Sequence, residues 1–318
     1  MAECTVHSPL ATDVVIALLA AGAKPGSPLD LAMRKYLRQA DLPSALDRLG
    51  ATPLVLFKGK LNDVSMPFGT KPQPLPATLE QLNAEVARLT AGTITNAYQP
   101  SAMNANLLLL CCVAFKRDFY TPFGKPVPGK FTRADGMTVD CLMMSQESDL
   151  ATGLYRSPYS QVDFTVVDVH YHHHKNCKLR LALPTKKDVV PVISDHEWSG
   201  IAYCTFDFHE TRLTIPPWTC RARHNLLDRL FLLFPELRKP GALDGFFPGA
   251  AIDDAFQDAF IEVTETGTHA GAVASCAVMK SAGGFKLTKP REVVFDHPFA
   301  YAIIDGTDVL ISGTVTSA

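Results

Sequence analysis

The pattern of apolar and polar positions along the chain predicts a mixture of helices and strands. Apolar residues at helical spacing predict helices at Thr12 to Ala21, Leu29 to Tyr36, Leu79 to Leu89 and Leu226 to Phe234. Short apolar or alternating runs predict strands at Pro53 to Phe57, Leu107 to Phe115, Val162 to His172 and Leu179 to Leu183. Because helices and strands follow no regular βαβ alternation, the pattern predicts an α+β fold.

Glycine and proline mark the connections between these segments. Gly22 to Ser27 holds two glycines and a proline, which predicts a turn, and Pro67 to Pro76 holds four prolines, which predicts a stiff connection. The last two predicted strands form a hairpin, with a histidine cluster at its turn.

One strand-forming segment near the end of the chain consists of small residues. Residues of an extended strand alternate between two faces. One face holds Thr268, Ala270, Ala272, Ala274, Cys276 and Val278, and the other holds His269, Gly271, Val273, Ser275, Ala277 and Met279. The first face is uniformly small, so this segment is able to slide between existing strands without overpacking. An Ala/Gly-rich surface loop is the alternative interpretation.

Composition limits the classes of function. With 318 residues, 47% of them hydrophobic, the chain can bury the core of one large domain or of two modest ones. A net charge of −2 and the lack of a basic run argue against a nucleic-acid partner. No apolar run reaches the roughly 18 to 20 residues of a membrane span. Val14 to Ala21 imitates a signal-peptide core, but the residues before it include no Lys or Arg, which favours a buried helix.

The cysteines predict no metal site and no disulfide framework. The eight positions, 4, 111, 112, 141, 177, 204, 220 and 276, lack either spacing. Adjacent Cys111 and Cys112 have a poor geometry for a disulfide. Most of these residues are therefore interpreted as small buried hydrophobes in a reducing compartment. Together with the absence of an Asn-x-Ser/Thr sequon, this predicts a cytoplasmic protein, with secretion as the alternative.

Two groups of residues suggest other kinds of site, a metal site and a catalytic thiol. His170, His172 and His174 would share a strand face able to hold zinc or nickel, but Lys175 and Asn176 beside them favour a solvated hairpin tip. Cys276 has His269 nearby in sequence, but no third orienting residue or oxyanion loop accompanies them. We therefore predict no metal, no cofactor and no enzymatic activity.

Several motifs resemble those of the serpins, protease inhibitors that work by loop insertion. Glu265-x-Gly267-Thr268-x-Ala270-x-Ala272 resembles the serpin hinge, and Phe295-x-x-Pro298-Phe299 resembles the C-terminal signature. Three further blocks keep the family order: Ser8-Pro9 with Leu18 to Lys24, Leu82-Asn83-x-x-Val86 with Thr90-x-Gly92-x-Ile94, and Phe115-Lys116-x-x-Phe119-x-x-Pro122-Phe123 with Met143-Met144. Two stretches, Ser275 to Val278 and Asp296 to Ile303, resemble the cytokine response modifier serpins of poxviruses.

The resemblance implies the serpin fold as one domain over residues 1–318. Three β-sheets, surrounding helices and an exposed reactive-centre loop at about 265–292 are implied, and we expect helices A, D and E to be absent. Its hinge would be Glu265, Gly267, Thr268, His269, Ala270, Gly271 and Ala272. Its shutter and breach would include Ser8, Cys111, Phe119 and Gln257, of which the last three depart from the usual Asn, Trp and His. His269 stands where inhibitory relatives usually have Glu.

The resemblance also implies a function. A target serine protease would cut the loop, form a covalent acyl complex and be trapped when the loop inserts. Side-chain chemistry favours cleavage at Lys280-Ser281, the usual family length gives Ser281-Ala282, and Met279-Lys280 is a third choice. These bonds suit trypsin-like or chymotrypsin-like enzymes, whereas the lack of Asp and Glu from Ala270 to Pro290 does not suit caspases or granzyme B. The resemblance also implies a monomer. If the protein is viral, it implies a role in modulating host inflammation or apoptosis. The alternative is a serpin-fold binding protein whose loop does not insert.

Overall fold

The computed structural model describes residues 4–37, 51–58, 60–89, 92, 95, 98, 103–269 and 289–318. The helices among them are α1 (Pro9–Gly22), α2 (Pro28–Leu37), α3 (Leu79–Leu89), α4 (Asp195–Ala202) and α5 (Leu227–Leu233). The strands are β1 (Cys4–His7), β2 (Ala51–Phe57), β3 (Gln73–Pro74), β4 (Leu107–Ala114), β5 (Arg117–Asp118), β6 (Val127–Thr132), β7 (Thr138–Arg156), β8 (Asp163–Tyr171), β9 (His174–Pro184), β10 (Phe208–Ile215), β11 (Trp218–Asn225), β12 (Asp254–Val263), β13 (Gly267–His269), β14 (Arg291–Val294), β15 (Phe299–Asp305) and β16 (Asp308–Val315).

These elements form two compact units. The first contains the described residues of 1–6, 115–221 and 260–318, and the second contains those of 7–114 and 222–259. The single-domain boundary expected from the sequence stays a prediction. None of the helices in the described ranges is long and apolar enough to cross a bilayer.

The first unit is built on a nine-stranded sheet. Its strands run in the order β1-β16-β15-β9-β8-β7-β10-β14, and β6 pairs with β7. Trp198 and Ile201 of α4 pack on this sheet against a buried cluster that includes Phe164, Ala302 and Ile304. The same unit holds the end of β12 with β13 and β5 beside it.

The second unit places α3 against the strands β3-β2-β4-β12. Leu82 and Val86 are one helical turn apart, and both pack against Leu54 and Leu110 of the sheet. From Leu107 to Val113 every residue of β4 is buried, as expected for a strand covered on both faces. Burial of this apolar area is the main driving force for the fold of the unit.

The structure confirms the α+β class and the main elements predicted from the sequence. α1, α2, α3 and α5 overlap the predicted helices, and β2, β4, β8 and β9 overlap the predicted strands. The hairpin turn lies at His172 and His173, and His173 has φ 60°. The proline-rich connection contains a short strand, β3, that the sequence did not reveal.

Three sequence expectations concerned missing helices. Between residues 60 and 72, all of which are described, the only helical element is the 3-10 turn Pro67–Gly69, where helix E was not expected. Residues 38–50, where a full helix D was not expected, lie outside the described ranges. The absence of helix A stays a prediction.

Candidate functional site

The predicted hinge forms a strand that pairs on both edges. β13 pairs antiparallel with β12, with Val263 opposite Thr268 and Glu262 opposite His269. On its other edge it pairs antiparallel with β5, with Gly267 opposite Asp118 and Thr268 opposite Arg117. The start of the small-residue segment is therefore already part of a β-ladder.

The turn before β13 is held by backbone hydrogen bonds. The N–H of Thr264 donates to the carbonyl of Gly267 (2.9 Å). The segment after β5 donates to the same turn, from Phe119 N–H to the Thr266 carbonyl (2.9 Å) and from Phe123 N–H to the Glu265 carbonyl (2.7 Å). Because these groups are paired with protein partners, the turn fixes the position at which β13 begins.

Gly267 permits a close approach between β13 and β5. A Cβ atom at this position would lie 2.3 Å from the carbonyl oxygen of Arg117 and 2.7 Å from the Cα of Asp118. Both are backbone atoms, which cannot rotate away as a side chain can. Any other residue at 267 would therefore push the two strands apart.

Thr268 is fully buried and is bonded to a tyrosine that the sequence analysis did not select. Its Oγ1 lies 2.7 Å from the hydroxyl oxygen of Tyr171, the last residue of β8. Burial is the largest influence on this phenol and raises its pKa well above the usual value, so Tyr171 stays protonated at neutral pH. One hydroxyl donates to the other, and both are satisfied inside the protein.

Phe119, expected at the breach, packs against this tyrosine. The two rings are stacked with centroids 5.3 Å apart and an interplanar angle of 16°. Phe123 and Phe115 meet the pair edge-on, at 5.5 Å from Phe119 and 5.1 Å from Tyr171 respectively. This cluster, which we call the breach aromatics, consists of Phe115, Phe119, Phe123 and Tyr171. It forms an apolar support in contact with the hinge through the Tyr171 hydroxyl.

Ser8 and Gln257 of the predicted shutter are brought together in the second unit. The Oε1 of Gln257 accepts from the N–H of Ser8 (3.3 Å), and its Nε2 donates to the Ser8 carbonyl. The Oγ of Ser8 accepts from Ala11 N–H (3.2 Å) and caps α1. Gln257, which departs from the usual His, thus ties β12 to the start of α1.

Cys111, the other shutter departure, is fully buried in β4 opposite Pro53 of β2. Desolvation raises the pKa of its thiol to about 12, so it is not a reactive thiolate at neutral pH. It fills space as a small hydrophobe, as the sequence suggested.

The remaining predicted residues lie outside the described ranges. These are Ala270, Gly271, Ala272, Cys276, Met279, Lys280, Ser281 and Ala282. The described chain resumes at residue 289 and enters β14 at Arg291, which pairs in parallel with β10. Described strands therefore flank the predicted reactive loop on both sides.

The structure corrects one cysteine interpretation. Cys4 and Cys220 form a disulfide, with Cα atoms 5.8 Å apart and 216 positions between them in sequence. Cys111, Cys141 and Cys204 take no part in a disulfide. A pairing over such a distance leaves no spacing signal, so only the tertiary structure reveals it.

The rings of the histidine turn pack against one another and against Tyr120. The rings of His172 and His173 lie 3.8 Å apart, and Tyr120 stacks on His172 at 6.0 Å. In the part of the chain that the structure describes, no three His, Cys, Asp or Glu residues are arranged to hold a metal ion.

Comparison with known proteins assigns the family. The family model for Serpin (serine protease inhibitor) matches residues 71–318. The chain belongs to the serpin family. "Serine protease inhibitor 42Dd" of Drosophila melanogaster is 25% identical over 306 residues, which cover 93% of this chain and 77% of that protein. "Probable serpin E3" of Danio rerio is 29% identical over 54% of this chain, but the match covers only 42% of its length. Antithrombin-III of Bos taurus is 27% identical over 75% of this chain and 54% of its own length.

Solved serpin structures share the fold. Native protease nexin-1 with heparin superposes with a TM-score of 0.80 at 18% identity, covering 100% of this chain and 93% of that one. Serpin48 of the insect Tenebrio molitor gives 0.77 at 16% identity, covering 100% and 92%. At this level of identity the likeness shows the serpin fold alone. The assignment of β13 to the serpin hinge stays a prediction, and the breach aromatics lie beside this strand.

Proposed function

We propose that this serpin inhibits a serine protease as a suicide substrate, by cleavage of its reactive loop and insertion of the loop beside β12. The protease nucleophile would attack the loop and form an acyl-enzyme. Insertion of the reactive loop into a β-sheet is the known inhibitory behaviour of serpins. The match covers 42% of the length of probable serpin E3 and 77% of the length of serine protease inhibitor 42Dd. The inhibitory activity of this chain is therefore proposed here and is not transferred from those relatives.

The observation that carries the proposal is the pairing of β13 with β12. If the antiparallel register of Val263–Thr268 continued after cleavage, Ala270 would lie opposite Ile261, Ala272 opposite Ala259 and Ala274 opposite Gln257. Ile261, Ala259 and Gln257 are all buried on β12. Directly opposed residues of an antiparallel pair share a face of the sheet. The small residues would therefore fall on the crowded face, where large residues would not fit.

The other face of the inserted strand would have more room at two positions. The same register places Gly271 opposite Phe260 and Ser275 opposite Phe256, and both phenylalanines are only partly buried. Val273, which lies between Gly271 and Ser275, would face Asp258, and Asp258 is buried, so the roomier positions are those of Gly271 and Ser275. Each inserted residue would exchange water for ladder hydrogen bonds, at a net gain of about 1 kcal/mol per bond.

The target follows from the loop chemistry. Lys280-Ser281 is our first choice for the cleaved bond and Ser281-Ala282 the second, so we propose a trypsin-like or chymotrypsin-like target. A covalent acyl complex with a monomeric inhibitor is part of the same proposal. The poxvirus-type origin, a role in host immunity and the compartment stay predictions. The Cys4–Cys220 disulfide favours the secreted alternative over the cytoplasm.

Thermal melting before and after trypsin cleavage tests the proposal. Insertion should raise the melting temperature of the cleaved protein by tens of degrees, and a trypsin-like enzyme should then form an SDS-stable complex. An unchanged melting temperature would favour the alternative, a binding protein whose loop does not insert.

Two neighbouring substitutions make this test specific for the register. Ala274→Gln puts a long polar side chain on the crowded face opposite Gln257, whereas Ser275→Gln puts the same side chain on the roomier face. Insertion predicts that Ala274→Gln weakens inhibition and the melting shift, while Ser275→Gln leaves both close to wild type. Equal behaviour of the two variants would contradict this register.

A further inference from the structure

A small open cavity of about 330 Å³ lies beside α4 in the first unit, far in sequence from the hinge. This volume is at the low end of the range for ligand pockets. One wall is a single face of the helix, because His196, Ser199, Gly200 and Tyr203 follow the three- and four-residue spacing of neighbouring helical positions. The opposite wall is Tyr155, at the end of β7, with Pro158 and Tyr159 of the next turn.

Two tyrosines in the walls of this cavity are largely exposed. Tyr159 is 63% exposed and Tyr203 is 72% exposed. The ring of Tyr159 meets that of His196 edge-on, with centroids 6.1 Å apart. Aromatic faces that surround a small open volume are suited to a cation, because the ring quadrupole presents negative charge.

A buried carboxylate lies among these rings. Glu197 is only 3% exposed, and its Oε1 accepts from the Tyr155 hydroxyl (3.2 Å). Burial, and then the Glu197 charge, raise the pKa of Tyr155 to about 12, so the phenol stays a donor at neutral pH. Ser194 caps α4 by accepting from Glu197 N–H (3.2 Å). In a capping box the side chain of Glu197 would accept a hydrogen bond from the backbone N–H of Ser194. Here its carboxylate accepts from Tyr155 instead.

No cation of the described chain neutralises this carboxylate. Glu197 forms no ion pair with any Lys or Arg among the described residues. Arg180, which donates to carbonyls at the other end of α4, is itself paired with Asp168 at 2.6 and 2.7 Å. A buried charge without a partner is costly, and buried acids are rarely left unpaired. The cavity therefore combines a buried negative charge with an open aromatic wall.

The turn that carries Tyr159 is held in place. The buried Ser157 accepts at its Oγ from the N–H groups of Tyr159 (3.3 Å) and Ser160 (3.0 Å), and its carbonyl accepts from Gln161 N–H (3.0 Å). A ring on a fixed turn loses little entropy when a ligand binds, which favours affinity.

We propose that this cavity binds a small quaternary ammonium cation, with Glu197 as the counter-ion and Tyr155, Tyr159 and Tyr203 as the cage. A quaternary ammonium has no N–H groups, so it needs charge and π faces but no array of hydrogen-bond acceptors. This matches walls of rings around one carboxylate that already accepts a hydrogen bond. The site is separate from the hinge and does not depend on the inhibitory proposal.

Calorimetric titration of the intact protein with choline tests the site. We expect saturable binding, and no binding of 3,3-dimethyl-1-butanol, which has the same shape without the charge. Phosphatidylcholine vesicles distinguish a lipid headgroup from a free cation, and binding of either supports the site. Equal binding of the neutral alcohol, absence of saturable binding to both choline and vesicles, or preference for methylguanidinium over choline would overturn the proposal.

Three variants locate the binding. Glu197→Gln should weaken it by about tenfold and Tyr159→Leu by about fivefold, in line with a charge contact and one cation–π contact. Gly200→Leu should block the cavity, because a Cβ at this helical position meets no atom within 4 Å and a larger side chain would enter the open space. Tyr120→Leu is the matched control, since Tyr120 is 71% exposed but lies outside the cavity.

Binding that is unchanged in Glu197→Gln and Tyr159→Leu would place the cation elsewhere and overturn the assignment. Melting curves of each variant separate a lost site from a lost fold. Gly200→Leu adds a strong helix former, so it should keep or raise stability while it abolishes binding.

Discussion

The hydroxyl of Tyr171 and the Oγ1 of Thr268 lie 2.7 Å apart, although 97 positions separate them in sequence. This hydrogen bond joins the end of β8 to the middle of β13. Both residues are buried, so the bond is made where water does not compete with it. It is therefore a specific restraint on the position of β13.

Removal of this hydrogen bond should loosen β13. Tyr171→Phe keeps the stacked ring but removes the hydroxyl and leaves Thr268 without its partner, at a cost of about 1 kcal/mol. Amide exchange at Thr268 and His269 should then be about fivefold faster than in wild type. Adding Thr268→Val should recover part of the loss, because both polar groups are then gone. Tyr120→Phe, at an exposed site, serves as the control. Strictly additive effects of the two buried substitutions would show that the residues are not coupled.

Gly267→Ala should separate β13 from β5. The new Cβ would lie 2.3 Å from the backbone oxygen of Arg117, a contact that cannot be relieved by a rotamer change. We expect the hinge to become more open to limited proteolysis, and the protein to lose stability. Gly200→Ala is the matched control, since its Cβ meets open space. Wild-type proteolysis rates for Gly267→Ala would refute the close packing of the two strands.

Gln257→Leu should destabilise the second unit. The substitution leaves the buried N–H and C=O of Ser8 without the side chain that pairs with both, at a cost of about 1–3 kcal/mol measured by urea unfolding. Gln146→Leu is a useful contrast, because Gln146 is also buried but its Nε2 has no hydrogen-bond partner. That variant should lose less stability. A reversed order would mean that the Gln257–Ser8 contacts contribute little.

Loss of the Cys4–Cys220 disulfide should lower the free energy of unfolding by about 2–5 kcal/mol, the range typical of native disulfides. The double variant Cys4→Ala with Cys220→Ala should melt below wild type, and a reducing agent should lower the wild-type melting temperature but not that of the variant. Cys204→Ala, which removes a free thiol, is the control. A wild-type melting temperature that does not respond to reduction would show that the bond contributes nothing.

Asp254 should make stability depend on pH. Desolvation raises the pKa of its carboxyl from 3.8 to about 6 in the folded protein. The folded state then binds more protons than the unfolded state between about pH 4 and pH 6, so this group's contribution to stability falls as pH rises through that window.

Asp254→Asn should remove this slope. At pH 7.5 it should raise stability by at most about 1 kcal/mol, less than the full pKa shift implies, because solvent screens a half-buried carboxyl. At pH 4 the variant and wild type should be alike. Neighbouring Asp253 accepts from Asn106 N–H (2.6 Å) and Leu107 N–H (3.2 Å), so Asp253→Asn should instead lower stability at pH 7.5. A flat difference between Asp254→Asn and wild type across this range would refute the raised pKa.

Local patterns in the sequence were sufficient for much of the fold. The apolar periodicity of α3 and the continuous apolar run of β4 depend only on neighbouring residues, so both were predicted within one or two residues. The small-residue face of the hinge was visible for the same reason, since side chains of a strand alternate by covalent geometry. The short strands β3 and β5 have two residues each. Two residues are too few to show the alternation of apolar and polar positions that predicts a strand.

The long-range partners were decided only by tertiary structure. Four features join segments that are far apart in the chain. They are the hydrogen bond between Tyr171 and Thr268, the hydrogen bonds between Gln257 and Ser8, the Cys4–Cys220 disulfide and the cavity beside Glu197. Sequence by itself determined the family, the element types and the parity of the loop, because these follow from local spacing and motifs. Which side chains meet depends on how strands pair and pack, a property of the whole fold that no local pattern encodes.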